Sequence, residues 1–176
     1  MSGADAWKRI WTPHRMEYIK GDGKPCDDEP VACPFCQEGG TLSTSEGDSS
    51  DLVVYRGETC YVVLNKYPYN SGHLLVCPYR HVALYTELNE QEVLEFGKLT
   101  QAAMETLRLA SGAHGFNIGM NQGSIAGAGI AAHLHQHVVP RWNGDTNFMP
   151  VVGGVKVLPQ LLEQTRELLI SEWVED

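Results

Sequence analysis

Positive charge is scarce in this chain: 13 lysines and arginines stand against 22 aspartates and glutamates, a formal net charge of −9. That balance argues against a sheath around nucleic-acid phosphates, while a small anion received by local donors stays open. Long apolar runs are missing as well. None approaches the roughly 18 residues of a membrane span, and the opening stretch MSGADAWKRIW has no apolar export core. The expectation is a cytoplasmic protein that engages neither membrane nor nucleic acid. Cysteines are few and odd in number, five in all, which does not suit a disulfide framework. Internal repeats and low-complexity tails are absent, and 176 residues suit one domain with a core that needs no staples.

Residues 20 to 51 are short of apolar side chains and rich in Gly, Pro, Asp, Glu and Ser, so this loop region needs something to hold it. Within it, Cys33-Pro34-Phe35-Cys36 has the two-residue gap that lets two thiolates grip one metal. A redox pair is the competing reading, but the flanks EPVA and QEGGT supply no strand-to-helix turn for it. Cys60 and Cys77 lie in apolar runs and read as core residues.

Downstream, the pattern becomes regular. Leu52 to Tyr55, Cys60 to Leu64 and His73 to Cys77 are short apolar or β-branched runs between turn residues, and they read as strands. Asn89 and Glu92 form a capping-box signature, followed by Val93, Phe96, Ala103, Met104 and Leu107 at helical spacing up to Gly112. Phe116 to Met120 and Leu134 to Val139 read as two more strands. Pro159 opens a last helix with Leu161, Leu162, Thr165, Leu168 and Leu169 along one face. Five strands interrupted by one long helix and closed by another predict an α+β fold with a mainly antiparallel sheet, not repeating βαβ units.

Three of the seven histidines fall within HLHQH, at positions 133, 135 and 137. On a strand they share one face at about 6–7 Å spacing, with Leu134, Gln136 and Val138 facing the other way. Three imidazolium ions that close repel one another, so some rings should be neutral, the form that attacks phosphorus or binds metal. Charge is missing here too: from Ser111 to Pro140 there is no Asp, Glu, Lys or Arg. The segment NQGSIAGAG, with Asn121, Ser124, Gly127 and Gly129, can instead turn backbone N–H groups toward the oxygens of a phosphoryl group.

HLHQHVV resembles the signature of the histidine-triad (HIT) nucleotide hydrolases and transferases, with polar Gln136 at a usually apolar position. NKYPYNSGHLLVCPYRHV resembles the family's N-x-x-P-x-x-x-G-H stretch, and NQGSIAGAGIAAHLHQHVVPR its phosphate loop and catalytic strand. With WTPHRMEYI and VPRWNGDTNFMP, the chain is similar to the branch that hydrolyses or phosphorolyses diadenosine polyphosphates. The resemblance implies that His135 attacks the α-phosphorus, that His137 assists the leaving oxygen, and that His73 lies beside them. It places Asn65 near the ribose, with Asn121, Ser124, Gly127 and Gly129 around the phosphates. It completes the Cys33–Cys36 pair with His81 and His133 as a structural zinc site. It also implies a homodimer. Residues 1–51 are then an extension carrying the zinc loop, and 52–176 the HIT domain.

One position departs from the family: Gly129 stands where many relatives carry Gln, Ser or Thr, leaving open whether water or phosphate is the second acceptor. Two rival readings remain at this point. In one, the alternating histidines hold a catalytic zinc; in the other, the chain is a nucleotide-binding module without chemistry. Trp142 and Phe148 are candidates for stacking on a base or for packing, His14 and Arg15 for reaching the site or a partner subunit, and His114 for a surface role.

Overall fold

A computed structural model describes residues 33–40, 52–145 and 161–174. The expectations attached to His14, Arg15, Phe148 and Pro159, and most of the 1–51 extension, lie outside them. Ten elements follow one another among the described residues. Helix α1 spans Pro34–Gly40, and strands β1 (Val53–Arg56), β2 (Cys60–Leu64) and β3 (Leu74–Pro78) follow. Helix α2 (Glu90–Ser111), strands β4 (Gly115–Gly119) and β5 (Gln136–Arg141), and helix α3 (Leu162–Ser171) complete the set, with 3-10 turns at Tyr85–Glu87 and Ser124–Ala126.

The five strands form one antiparallel sheet in the order β1-β2-β3-β5-β4. β2 and β3 are buried at every position, because both faces of the sheet are covered there, and this explains their continuous apolar runs. One face carries Val62, Leu64, Leu74, Val76 and Val138 against Phe96, Leu99, Ala103 and Leu107 of α2 and Leu169 of α3. The opposite face carries Val53, Tyr61, Val63, Leu75 and Cys77 against Cys33 and Phe35 of the α1 segment.

Helix α2 begins and ends as its sequence predicts. Asn89 Oδ1 accepts from Glu92 N–H at 2.9 Å and Asn89 N–H donates to Glu92 Oε2 at 2.8 Å, while Gly112 terminates the helix in the left-handed region at φ 62°. Its buried stripe keeps Phe96, Ala103 and Leu107 and adds Leu99 and Thr106, with Met104 partly buried, while Val93, expected on the inner face, is exposed and Glu92 is buried instead. The cap turns Glu92 inward, and Arg80 meets its carboxylate with two bonds of 2.7 Å. Glu95 accepts the N–H groups of Glu58, Thr59 and Cys60, which binds the β1–β2 turn to this helix.

Strands β1, β3 and β4 lie within one residue of expectation, and three departures are larger. The last strand starts at Gln136, two residues later than Leu134, so His133 and His135 precede it. The reason is that Leu134 N–H bonds the Val82 carbonyl at 2.6 Å, outside the ladder, whereas regular pairing with β3 begins at Val76↔Gln136. The CxxC segment is a helix with Pro34 in its first turn, a position where proline's missing N–H costs nothing. In α3, Thr165 and Leu169 face the core but Leu161 is exposed, since it precedes the helix rather than lying on its apolar stripe.

Candidate active site and metal centre

The sheet ends bring two clusters together on the face opposite α2. The first joins Cys33, Cys36, His81 and His133, whose ligand atoms all lie within 4.8 Å of one another. His133 Nδ1 is 3.4 Å from both sulfurs and His81 Nδ1 is 3.2 Å from Cys36 Sγ. Ligand atoms around a tetrahedral zinc stand roughly 3.3–3.8 Å apart for ordinary Zn–N and Zn–S bonds. The donor set fits such an ion in number, type and spacing. His133 Nε2–H donates to the Pro78 carbonyl at 2.9 Å, which turns the lone pair of Nδ1 toward the sulfurs and supplies the outer support usual for a ligand imidazole.

Burial sets the protonation of this cluster. Burial pushes the Cys36 thiol up to about 11, with the neighbouring Cys33 adding to the shift. Burial pushes His133 down to about 4; the Pro78 carbonyl opposes this, and His81 and His135 reinforce it. Burial thus favours neutral groups at both positions, and a bound metal would offset that cost by stabilising the thiolates while taking the neutral imidazole as a ligand.

The second cluster contains His135, His137 and His73. His135 is 7% exposed, and its Nδ1–H donates to the carbonyl of His133 at 2.8 Å. That bond leaves the unshared pair on Nε2. Burial lowers its affinity for a proton, partly countered by the same carbonyl, so the neutral ring is favoured.

His137 reaches its state through a relay. Tyr69 N–H donates to His73 Nδ1 at 3.0 Å, and Asn65 Nδ2 approaches the same nitrogen at 3.3 Å. An accepting Nδ1 puts the His73 proton on Nε2, from which it is directed to His137 Nδ1 at 3.0 Å. His137 therefore carries its own proton on Nε2. His135 and His137 meet edge to face with centroids 5.1 Å apart.

Alternation assigns the intervening residues as expected: Leu134 and Val138 join the α2-side core, and Gln136 Nε2 donates to Thr100 Oγ1 of α2 at 2.7 Å. The backbone nevertheless separates the three rings. His133 is drawn into the metal cluster, while His137, paired opposite Leu75 of β3 and Gly119 of β4, stands on the sheet itself.

The remaining predicted residues are placed less tightly. Asn65 is engaged within the protein, its Oδ1 also accepting Tyr67 N–H at 2.9 Å. Asn121, Ser124, Gly127 and Gly129 lie on the connection between β4 and β5, where Gly123 and Gly127 both take φ 80°. Trp142 donates Nε1–H to the Ser111 carbonyl, and His114 Nδ1 accepts Asn143 N–H, so both pin the α2–β4 turn to the end of β5. Cys60 and Cys77 are buried in the core. Sequence reasoning missed Tyr69, whose ring stacks on His73 at 5.0 Å, and Phe35, which contacts His133 and His135. The aromatic pair in YPYNSGH and the apolar residue inside CxxC were the available signals.

Comparison with known proteins places this geometry. A model of the HIT domain matches residues 46–144. The AP-4-A phosphorylase of Mycobacterium tuberculosis is 48% identical over 174 residues, 96% of this chain and 86% of that protein. An uncharacterised HIT-like protein of Methanocaldococcus jannaschii is 34% identical over 64% of the chain and 81% of its own length. Among solved structures, a zinc-bound histidine-triad family protein from Mycobacterium smegmatis superposes with a TM-score of 0.64 at 27% identity, covering 82% of this chain and 94% of that one.

Proposed function

The chain belongs to the HIT domain family, and on that premise we propose that it transfers a nucleotidyl group from dinucleoside polyphosphates through a covalent bond to His135. The observation that carries the reading is the pair of contacts that sets the tautomers of the two rings: His135 Nδ1 meets the His133 carbonyl at 2.8 Å, which assigns the lone pair to Nε2, and His137 Nδ1 meets His73 Nε2 at 3.0 Å, which assigns the His137 proton to Nε2. A nucleophile beside a hydrogen-bond donor for the leaving oxygen suits displacement at a phosphoryl group.

In the first step His135 Nε2 bonds to the α-phosphorus, and the bond from that phosphorus to the bridging oxygen breaks. His137 Nε2–H hydrogen-bonds the departing oxygen, so that the nucleoside polyphosphate leaves as an anion, and His73 holds the ring in that tautomer through its own Nε2–H. The Nδ1–H bond to the His133 carbonyl holds the attacking ring and accommodates the charge it acquires. Backbone N–H groups of the 123–130 turn, with Asn121 and Ser124, receive the phosphate oxygens in place of lysines, and Asn65 reaches the ribose. In the second step an acceptor attacks the same phosphorus, the bond from His135 Nε2 to that phosphorus breaks, and His135 is freed as a neutral ring.

The acceptor we propose is inorganic phosphate, on the strength of the 48% identity to a protein named AP-4-A phosphorylase. Cys33, Cys36, His81 and His133 would hold a zinc ion, whose contribution is to cross-link the α1 segment to the catalytic strand and not to activate water. A metal shared by His133, His135 and His137 fits poorly, because the Nδ1 atoms of the outer two face sulfur and His73 respectively. The reading includes a cytoplasmic homodimer, checked by sedimentation.

Product analysis decides the reaction. With diadenosine tetraphosphate, phosphate-dependent formation of ADP and ATP supports the proposal. AMP plus ATP without a phosphate requirement replaces phosphorolysis by hydrolysis. Tight binding without cleavage under either condition replaces enzyme by binding module.

A further inference from the structure

We propose that Phe35, the apolar residue between the two cysteines, is a positioning residue for His135, its ring lying 4.8 Å from the imidazole centroid to centroid. The inference rests on the reading of His135 as the nucleophile, and it concerns what keeps that nucleophile aimed.

A single hydrogen bond from Nδ1 to the His133 carbonyl fixes one corner of the imidazole. The χ2 torsion of histidine is broad, so the ring can still pivot about that corner. His137 closes one side edge-on, with its plane at 79°. Phe35 closes another with its face inclined by 38°, while its edge contacts His133 at 5.5 Å. One phenyl ring thus touches both the metal-cluster histidine and the attacking one.

Phe35 is itself held firmly. Its carbonyl accepts the Tyr61 hydroxyl at 2.6 Å, and its neighbours Cys33 and Cys36 belong to the metal cluster. The end of α1 is clamped by Arg56, whose guanidinium donates to the carbonyls of Glu38 and Gly39 at 3.1 Å each. A Cβ at Gly39 would come within 2.8 Å of the Tyr61 ring, so the helix lies as close to β2 as its backbone permits. The rigidity of the cluster therefore reaches His135 through Phe35. Once Nε2 is bonded to phosphorus and Nδ1 keeps its proton, the imidazole is cationic, and the negative face of a phenyl ring within about 6 Å attracts it.

The test uses the full-length, zinc-loaded protein with Phe35→Leu and Phe35→Met, which remove the ring but keep an apolar side chain, and Phe35→Tyr, which restores a ring. Three quantities are read: zinc per chain, the rate of nucleotidyl-histidine formation in a single turnover, and the imidazole nitrogen resonances of His135 without substrate. In the Leu or Met variant, zinc stays at the wild-type level and adduct formation slows about 10- to 100-fold, the scale expected for a misaimed reacting group. His135 then shows a second tautomer, and Phe35→Tyr returns the rate to within about threefold of wild type.

A zinc-loaded Leu or Met variant with the wild-type rate and one tautomer overturns the proposal. So does a rate that falls only in proportion to lost zinc, or the failure of both variants to fold, since Phe35 is then simply part of the core. If wild type forms no adduct at all, the catalytic reading fails, and the tautomer comparison still decides whether Phe35 positions the ring.

Discussion

The two faces of the sheet are built for different ends, although neighbouring residues of one segment feed both. On the α2 side, Leu134, Gln136 and Val138 enter a core whose polar members are capping and bridging groups: Glu92 with Arg80, Glu95 with the β1–β2 turn, Gln136 with Thr100. On the opposite side, His133, His135 and His137 meet sulfur, aromatic rings and another histidine. Disturbing the first face should cost stability while leaving the chemistry intact. Disturbing the second should change metal content or turnover, with stability affected only through the metal. Under the proposed function, chemistry and cohesion are separated by the alternation of one short stretch, and the role proposed for each histidine follows from the group its second nitrogen meets.

The sharpest way to break this contrast is His135→Ala. Turnover should fall by at least ~10⁴-fold, the scale on which removing a nucleophile acts, while zinc content and the melting temperature stay at wild-type values. Loss of zinc with activity would mean that residue 135 is a ligand and that the two clusters are one. Next in size is the double change Cys33→Ser with Cys36→Ser. Zinc binding should disappear in elemental analysis, and unfolding should move down by about 10 °C, corresponding to roughly 3–5 kcal/mol in a protein of this size. A double variant that keeps its metal would dissolve the cluster as described.

A smaller effect is expected for the relay. His73→Leu should lower kcat about 10- to 100-fold with little change in KM, as expected when a hydrogen-bond donor to the leaving oxygen loses its orientation. His73→Gln keeps a donor for His137 and should recover part of the loss. Equal kcat in the Leu and Gln variants would show that the relay does not govern His137. The smallest change concerns the other face and should leave catalysis alone. The bond from Arg80, aided by Asn89 and opposed by burial, holds the Glu92 carboxyl below its ordinary 4.5. A carboxylate depressed in this way stabilises the fold above its unfolded value, and that contribution disappears as pH falls through the lowered folded one. Glu92→Gln should therefore cost about 1–2 kcal/mol at pH 7, and the gap from wild type should close below about 4.5 in acid denaturation curves.

Much of the fold was readable because its signals are local. The capping box at Asn89 and Glu92, the stop at Gly112, and the continuous apolar runs of β2 and β3 are statements about neighbours in sequence; the first three lie where they were expected and β3 is displaced by one residue. The α1 helix was not readable, since its 7 residues hold two glycines at the end and its support comes from Arg56 and Tyr61 far along the chain. Val93 misled for a related reason: the helical period offered two candidate faces, and the partner of Glu92, Arg80, chose between them.

The site divides similarly. The alternation of histidines and the CxxC spacing were visible as patterns, and the grouping of Cys33 and Cys36 with His81 and His133 followed from the family resemblance. Tyr69 and Phe35 were not visible, because their contacts with the histidines depend on how turns and α1 fold over the sheet.

By itself the sequence determined which residue types alternate, where the long helix starts and stops, and which segment lacks charge; each follows from chemistry within a few bonds. Only the tertiary structure decided which nitrogen of each histidine bears a proton. That choice depends on whether the Pro78 carbonyl, the His133 carbonyl or His73 stands opposite the ring, and two of those three partners lie more than fifty positions away along the chain. Distance in sequence carries no information about proximity in space until the sheet has paired its strands.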